Sequence, residues 1–493
     1  MLIGIDLGTS MIKAAAFSPQ GACLAVASHR PTLHCLSGER IEQDFEEVVN
    51  AVGIVVREIV KASGAVPSAI GITGQGDGLW LLDEKGYAVR PAISWLDARG
   101  KTYLQRWIDS GVYEAVFRRN GNAMFAGCHA PFMAALAESE PEALNNAATA
   151  SYLKDGILQR LTGVRVTDAS DASLPFLDVR TQAYDPEIVR LLGLQSYERL
   201  LAPVDPAPGR TYPLNAAGAA LIGLPEGLPI HAGPFDLPAC AIGAGLTKVG
   251  DGLITIGTTL ACQVLVDQVE TAGEPMGMTL CMPQPGRWTR AAPAMVGTAS
   301  LDWVLGMIGA KPGDVETLLA QSEPGARGVT ALPYFAATGE RAPFYDLSAR
   351  GQLAGLTTAA TRADVVMAVC ESVAYAGRHC LQAVGFSGRL SVCGGGSNSP
   401  VWVQLFADVL QTPIHIARGP EVGACGAAIA AMDVAGIAYD LKAWTHSEAT
   451  VEPRSSNALR YMDGYAHYIE TFESARRLWH SPVRKRLEAH RRT

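Results

Sequence analysis

Two apolar runs open the chain, residues 1–5 and 11–17, and the break between them, Asp6-Leu7-Gly8-Thr9-Ser10, predicts a β-hairpin with a glycine at its bend. The same pattern returns at Ile254-Thr-Ile-Gly257-Thr258-Thr259-Leu, shifted by 249 residues, about half the chain, which suggests an internal duplication. Between the copies, Phe45, Val48, Val49, Val52, Val55, Val56 and Ile59 recur every three or four residues, the stripe of an amphipathic helix. A strand over 69–73 then runs into Gly74-Gln75-Gly76-Asp77-Gly78, and an apolar run from Leu79 closes at a Glu-Lys-Gly turn. In the second half, residues 390–393 predict a strand, 394–400 a glycine loop, and 401–410 a helix. Near the end, Tyr461, Tyr465, Tyr468, Phe472, Ala475 and Leu478 share one helical face ahead of a tail with five Lys or Arg, which reads as a solvated basic end.

Strands and helices alternate in both halves, so the expected class is α/β with two domains and a crevice between them as the active site. The Pro/Gly-rich stretch 223–229 sets the expected boundary: one domain over 1–228, a second over 229–445, and a C-terminal helix and basic tail over 446–493. At 493 residues the chain is about three times the usual domain length. Its 40 Lys and Arg against 48 Asp and Glu give a net charge of −8, which argues against nucleic acid or an anionic membrane as partner. The ten cysteines form no Cys-x-x-Cys pair and no zinc spacing, and the N-terminus carries no secretion signal. A cytoplasmic protein is expected.

Turns in which Gly precedes Thr or Ser offer backbone N–H groups and a hydroxyl together, the chemistry that grips phosphate oxygens or a hydrated Mg²⁺. Gly8-Thr9-Ser10 and Gly257-Thr258-Thr259 are two such turns. Asp6 ends an apolar strand, where a carboxylate is unfavourable unless it caps a turn or serves an ion, and we read it as the ion's ligand. Lys13 interrupts the second apolar run and is expected to face solvent. Asp236 stands alone in a segment of small and apolar residues just before the second turn. It could accept a hydroxyl proton during phosphoryl transfer or cap a helix, and spacing alone favours the cap. Gly100-Lys101-Thr102 resembles the end of a Walker A loop, but Trp95 occupies the place of its first glycine. Neither glycine loop completes a dinucleotide fingerprint, and no serine-hydrolase elbow is present.

Taken together, the chain resembles the FGGY carbohydrate kinases over essentially its whole length. Gly351-Gln-Leu353-Ala-Gly355-Leu356 followed by Asp364-Val365-Val-Met-Ala368-Val369-Cys370-Glu371 is similar to the family's C-terminal signature, with Cys370 where an apolar residue is usual. Pro333-Tyr with Gly339-Glu-Arg341-Ala-Pro, and Trp95-Leu-Asp97-Ala-Arg99, resemble further family blocks. The resemblance implies two ribonuclease H-like domains of the actin and hexokinase superfamily, sugar held mostly by the first and ATP mostly by the second. It makes Asp236 the catalytic base, reversing the preference for a cap. Asp6 then takes the metal, Mg²⁺, while Thr9, Ser10, Gly257, Thr258, Gly297, Gly395, Gly396 and Asn398 serve ATP. Gln75, Asp77, Trp95 and Asp236 hold the substrate. The Gly-Gln-Gly-Asp-Gly-Leu-Trp stretch looks most like the erythritol kinase branch, whereas xylulose kinases usually show Gln-Met-His-Gly there. The family's first signature fails around residues 129–135, where its Lys and Trp are missing.

The expected activity is ATP-dependent phosphorylation of a primary hydroxyl of a small linear polyol or ketose, an erythritol-like tetritol or a pentulose such as xylulose. An actin-like or chaperone-like ATPase without a sugar acceptor and a catalytically inactive sugar sensor are the alternatives. Oligomeric state, a homodimer included, stays open.

Overall fold

The computed structural model of the chain describes residues 1–482 apart from 38, 337 and 420. Its N-terminal part contains β1 (Leu2–Leu7), β2 (Ile12–Phe17), β3 (Cys23–His29), α1 (Phe45–Ser63), β4 (Ile70–Gly74), α2 (Leu153–Thr162), β5 (Pro229–Ala232) and α3 (Asp236–Gly243). There follow β6 (Gly252–Ile256), β7 (Leu260–Val266), α4 (Thr298–Met307), β8 (Leu390–Cys393), α5 (Pro400–Leu410), β9 (Ile414–Ile416), α6 (Val422–Ala435), β10 (Ala449–Val451) and α7 (Ala458–Trp479). Two compact units emerge, the first from Met1–Thr247, Leu265–Arg290 and Glu421–His446, the second from Lys248–Val264, Ala291–Pro420 and Ser447–Thr493.

In the first unit a six-stranded sheet runs in the order Tyr212–Pro213, β5, β4, β1, β2, β3. The predicted hairpin forms with Asp6 opposite Lys13. Strand β4 lies parallel to β1 with Thr73 beside Asp6, and β5 parallel to β4 with Ala232 beside Ile72. The stripe on α1 is buried against this sheet, and the helix is started by Asp44, whose carboxylate accepts the amides of Glu46 and Glu47, and stopped by Gly64 at φ 66°. The other side of the sheet receives α6, and here backbones nearly touch: a Cβ on Gly4 would lie 1.8 Å from the carbonyl oxygen of Ala424, and one on Gly71 1.9 Å from that of Ala427. Because β5 pairs with β4, the first unit continues through Thr247, past the boundary expected at 228. The stretch 223–229 is a loop inside that unit and not a linker.

The second unit repeats the arrangement. Strands β6 and β7 form an antiparallel hairpin, β8 lies parallel to β6, β9 parallel to β8, and β10 antiparallel to β9. A hairpin whose first strand is flanked by a parallel strand from far along the chain is therefore present twice, as the duplicated sequence suggests. Helix α7 buries Tyr461, Tyr468, Phe472 and Ala475, but the stripe ends on Trp479 and leaves Leu478 60% exposed. The seven-residue step from Phe472 leads to Trp479, whose ring stacks on Phe344 at 6.0 Å. The basic tail expected beyond this helix lies outside the described residues. No disulfide forms among the described residues, and no described helix is long and apolar enough to cross a membrane.

Candidate active site

Parallel strands of an open α/β sheet present their carboxyl ends, and the loops that follow them, to ligands. In the first unit β1, β4 and β5 end at one sheet edge, delivering Asp6, the 75–77 loop and the 233–236 segment. Thr9 donates to Gln75 Oε1 and accepts from Trp95 Nε1 at 2.8 Å, while Gln75 Nε2 donates to Gln43 Oε1 at 3.0 Å. Thr9, Gln75 and Trp95 are thus one hydrogen-bonded set. The hydroxyl expected to serve ATP holds two residues expected to serve the substrate.

Trp95 is kept in place from behind. Asp97 accepts the amide of Ile41 at 2.6 Å and that of Arg99 at 2.8 Å, and the Arg99 guanidinium grips the same carboxylate through Nε and Nη2, both at 2.9 Å. Glu42 ties Arg99 at 2.8 Å to Arg90. The Trp-Leu-Asp-Ala-Arg block is therefore a clamp whose charged members face one another and hold the chain that carries Trp95.

Gly76 has no room for a side chain, since a Cβ would lie 2.3 Å from the Phe235 ring. Asp77 follows at φ 59°, a left-handed conformation that costs a non-glycine residue of the order of 1 kcal/mol and is tolerated where surroundings over-determine it. Asp77, Ser170, Asp171, Leu174, Phe235 and Leu280 line one cavity.

Asp236 is the first residue of α3. The N-cap position belongs to Phe235, whose side chain makes no cap hydrogen bond, so Asp236 is not the N-cap residue that spacing alone favoured. Asp6 is pushed up to about 6 by burial, with Lys13 pulling it down and Glu421 adding to the rise. Lys13 does not simply face solvent: its Nζ lies 3.2 Å from Glu421, the residue that precedes α6. A Cβ on Gly423 would come within 2.7 Å of Asp6 Oδ2, so the carboxylate is approached by a helix start stripped of side chain. A half-buried carboxylate at a strand end suits Mg²⁺, which keeps most of its waters and binds one or two carboxylates plus substrate phosphates. Ser10, at the tip of the same turn, is exposed.

In the second unit three loops converge. The turn after β6 is closed by the Gly257 amide bonding to the Thr259 carbonyl at 3.0 Å, and the Thr298 amide at the start of α4 bonds to the Gly257 carbonyl at 2.9 Å. A Cβ on Gly297 would meet the Thr258 carbonyl at 2.5 Å, so this contact demands glycine. Gly394 at φ 92° packs on Ile256, leading into a turn over Gly395–Asn398, after which Ser399 caps α5. Thr258, Gly395 and Asn398 are exposed on this surface. Side-chain-free backbone around a hydroxyl turn fits a polyphosphate.

A profile of the FGGY family of carbohydrate kinases, N-terminal domain, matches residues 1–243, and the corresponding C-terminal domain matches residues 254–434. The chain belongs to the FGGY family of carbohydrate kinases. Among its relatives is an erythritol kinase of Brucella abortus, 30% identical, with 97% of each chain covered. A xylulose kinase of Escherichia coli is 28% identical over 97% of this chain and 98% of the relative. The crystal structure of a xylulose kinase from Rhodospirillum rubrum superposes with a TM-score of 0.88 at 27% identity, covering 97% and 99% of the two chains. This FGGY kinase is thus an ATP-dependent carbohydrate kinase with the family's two-domain fold, taking a small-molecule acceptor.

Two groups in this FGGY kinase escaped sequence reasoning as working parts. One is Lys154, inside α2, taken up below. The other is Glu340, whose Oε1 accepts the amides of Met295 at 2.7 Å, Arg341 at 2.8 Å and Ala342 at 3.3 Å, bracing the approach to Gly297. Its signal was present in the Gly-Glu-Arg-Ala-Pro block, but an acid flanked by Arg reads as a surface charge. Burial pushes Glu340 up to about 7 from 4.5. An acid raised on folding stabilises below its unfolded pKa and loses that contribution as pH rises to its folded pKa, here between pH 4.5 and 7. Glu340→Gln keeps the accepting oxygen and deletes the titration. The melting temperature of the variant relative to the unmodified protein is expected to climb from pH 4.5 to 7 and then level, by on the order of 2–3 kcal/mol of stability. His129 and His379, both lowered to about 4 by burial, act oppositely over this range but equally in both proteins, and cancel in the comparison.

Proposed function

We propose that this kinase transfers the γ-phosphoryl group of ATP to a primary hydroxyl of a short linear polyol or ketose, an erythritol-like tetritol or a pentulose such as xylulose, in the cytoplasm. The observation that carries the substrate class is the cavity beside Asp77. The carboxylates of Asp77 and Asp171 and the Ser170 hydroxyl meet the apolar walls of Leu174, Phe235 and Leu280, a surface for a few vicinal hydroxyls on a short carbon chain. The kinship with the Brucella erythritol kinase supports the tetritol side of that class.

In this reading Asp236 accepts the proton of the acceptor hydroxyl as its oxygen forms the bond to the γ-phosphorus. The bond from phosphorus to the bridging oxygen breaks, and ADP leaves with that electron pair. Gln75, Asp77 and Trp95 orient the acceptor. The turns at Gly257, Gly297 and Gly395–Asn398 orient the nucleotide. Asp6 would hold Mg²⁺, which supplies neutralisation of the β- and γ-phosphate oxygens.

The test is a coupled ADP-release screen over glycerol, tetritols, pentitols and pentuloses. A tetritol or pentulose should raise ADP release at least about tenfold over the acceptor-free rate, and Asp77→Asn should raise the KM of that acceptor about tenfold while leaving the KM for ATP unchanged, the loss of one charge-assisted hydrogen bond. Acceptor-independent hydrolysis would favour an ATPase of actin-like or chaperone-like type. Thermal stabilisation by sugar without product would favour a sensor.

A further inference from the structure

Lys154 is completely buried, and three carboxylates surround its Nζ: Asp155 Oδ1 at 2.6 Å, Asp168 Oδ1 at 2.6 Å and Asp171 Oδ2 at 2.9 Å. These acids lie within 4.8 Å of one another, a spacing that could hold a metal ion. The ammonium takes the cation's place. One positive charge does not offset three crowded negative ones, and burial pushes Asp155 up to about 6 and Asp171 well above the usual carboxylate range, while Asp168, against the same burial, is held below that range by Lys154 and Ser170. Asp168 is therefore the carboxylate of the three whose ionised form Lys154 and Ser170 favour most, and its second oxygen reaches beyond the cluster.

Asp168 Oδ2 accepts both the amide of Ser170 at 2.9 Å and its hydroxyl at 2.5 Å. The same hydroxyl oxygen accepts the backbone N–H of Phe235 at 2.9 Å. Phe235 immediately precedes Asp236. From the other side Thr73 Oγ1 donates to the carbonyl of Pro234 at 2.6 Å. Gly233, at φ 138°, rests on the acid itself, since a Cβ there would lie 3.2 Å from Asp168 Cγ. The segment that delivers Asp236 thus lies against a charge buried in the unit.

We propose that Lys154, Asp168 and Ser170 form a positioning relay that fixes residues 233–235 and so aims the Asp236 carboxylate at the acceptor hydroxyl. None of the three exchanges a proton with substrate. They are positioning residues, and the inference rests on the reading of Asp236 as base. Lys154 supplies the charge that keeps Asp168 ionised, Asp168 orients the Ser170 hydroxyl, and Ser170 anchors the Phe235 amide. An error of about 1 Å in the aim of a reacting group costs up to about 100-fold in rate.

The experiment measures kcat, both KM values and thermal denaturation for Ser170→Ala, Ser170→Thr and Asp168→Asn, beside Asp236→Asn, using the acceptor the ADP-release screen selects. Ser170→Ala and Asp168→Asn should lower kcat by about 10- to 100-fold, with the KM for ATP within about twofold and the folded fraction at assay temperature unchanged. Ser170→Thr, which restores the hydroxyl, should recover activity to within about threefold of the unmodified protein. Should Ser170→Ala melt below the assay temperature, Ser170→Cys preserves the volume with a poor acceptor and carries the same expectation. Full kcat in folded Ser170→Ala or Ser170→Cys, with Asp236→Asn inactive, overturns the relay and leaves the base in place. Undiminished turnover in Asp236→Asn removes the base itself.

Discussion

Asp236→Asn is expected to lower kcat by about three orders of magnitude, within the range that a positioned general base contributes. The amide fills the space of the carboxylate and leaves the backbone of α3 untouched. In the proposed reading, what is lost is the ability to accept the acceptor's proton. Because the N-cap position belongs to Phe235 and Asp236 is the first residue of α3, the isosteric substitution leaves the cap residue unchanged, and the melting temperature should stay close to that of the unmodified protein. The KM for ATP, which in the proposed reading is set by turns of the second unit, should change less than about twofold. A steady-state assay paired with thermal denaturation decides the matter, and undiminished turnover in the folded variant would remove Asp236 from the chemistry.

Gly71→Ala should destabilise the protein by about 3 kcal/mol or more, beyond the usual cost of overpacking, because the new methyl has nowhere to go. Its Cβ would sit 1.9 Å from the carbonyl oxygen of Ala427 and 2.4 Å from the carbonyl carbon, and both atoms are backbone of α6. A side chain could rotate away; a helix backbone cannot. Gly306→Ala is the matched control, since that position in α4 has nothing within 4 Å of an added Cβ. Alanine there should be neutral or stabilising by up to about 1 kcal/mol. Thermal or denaturant melts of the two variants should move in opposite directions, and equal melting points would mean that α6 does not press on β4.

Features carried by short-range pattern were legible in the sequence. The stripe of α1, the hairpin around Gly8 and its copy around Gly257, and the strand, loop and helix from Leu390 to Leu410 each repeat over a window in which local preference and burial agree. The loops bearing Gln75, Asp77 and Gly395 were legible from their runs of glycine, while Gly297 was reached only through the family resemblance. What stayed hidden depends on partners far apart in sequence. The boundary near 228 was misplaced because pairing of Ile230 with Ile70 leaves no mark on either segment. Lys154 carried a faint signal, a lysine inside an apolar helical run followed by Thr-Asp-Ala-Ser-Asp, but only folding brings Asp168 and Asp171 to its ammonium. Leu478 lost its place to Trp479 because the heptad from Phe472 outweighs the three-residue step from Ala475. Thr9 was legible as the hydroxyl of a Gly-Thr turn, yet its bonds to Gln75 and Trp95 were not.

The seating of α6 on β1 and β4 bears on how the chain is made. The first unit draws its last segment from Glu421–His446, so a ribosome must translate most of the second unit before the polypeptide that closes the first one exists. Until then the glycine-lined face of a nascent sheet is uncovered, and the helix destined for it is still unsynthesised. Vectorial, domain-by-domain maturation from the N-terminus is therefore not open to this kinase: its first lobe is begun early and completed late.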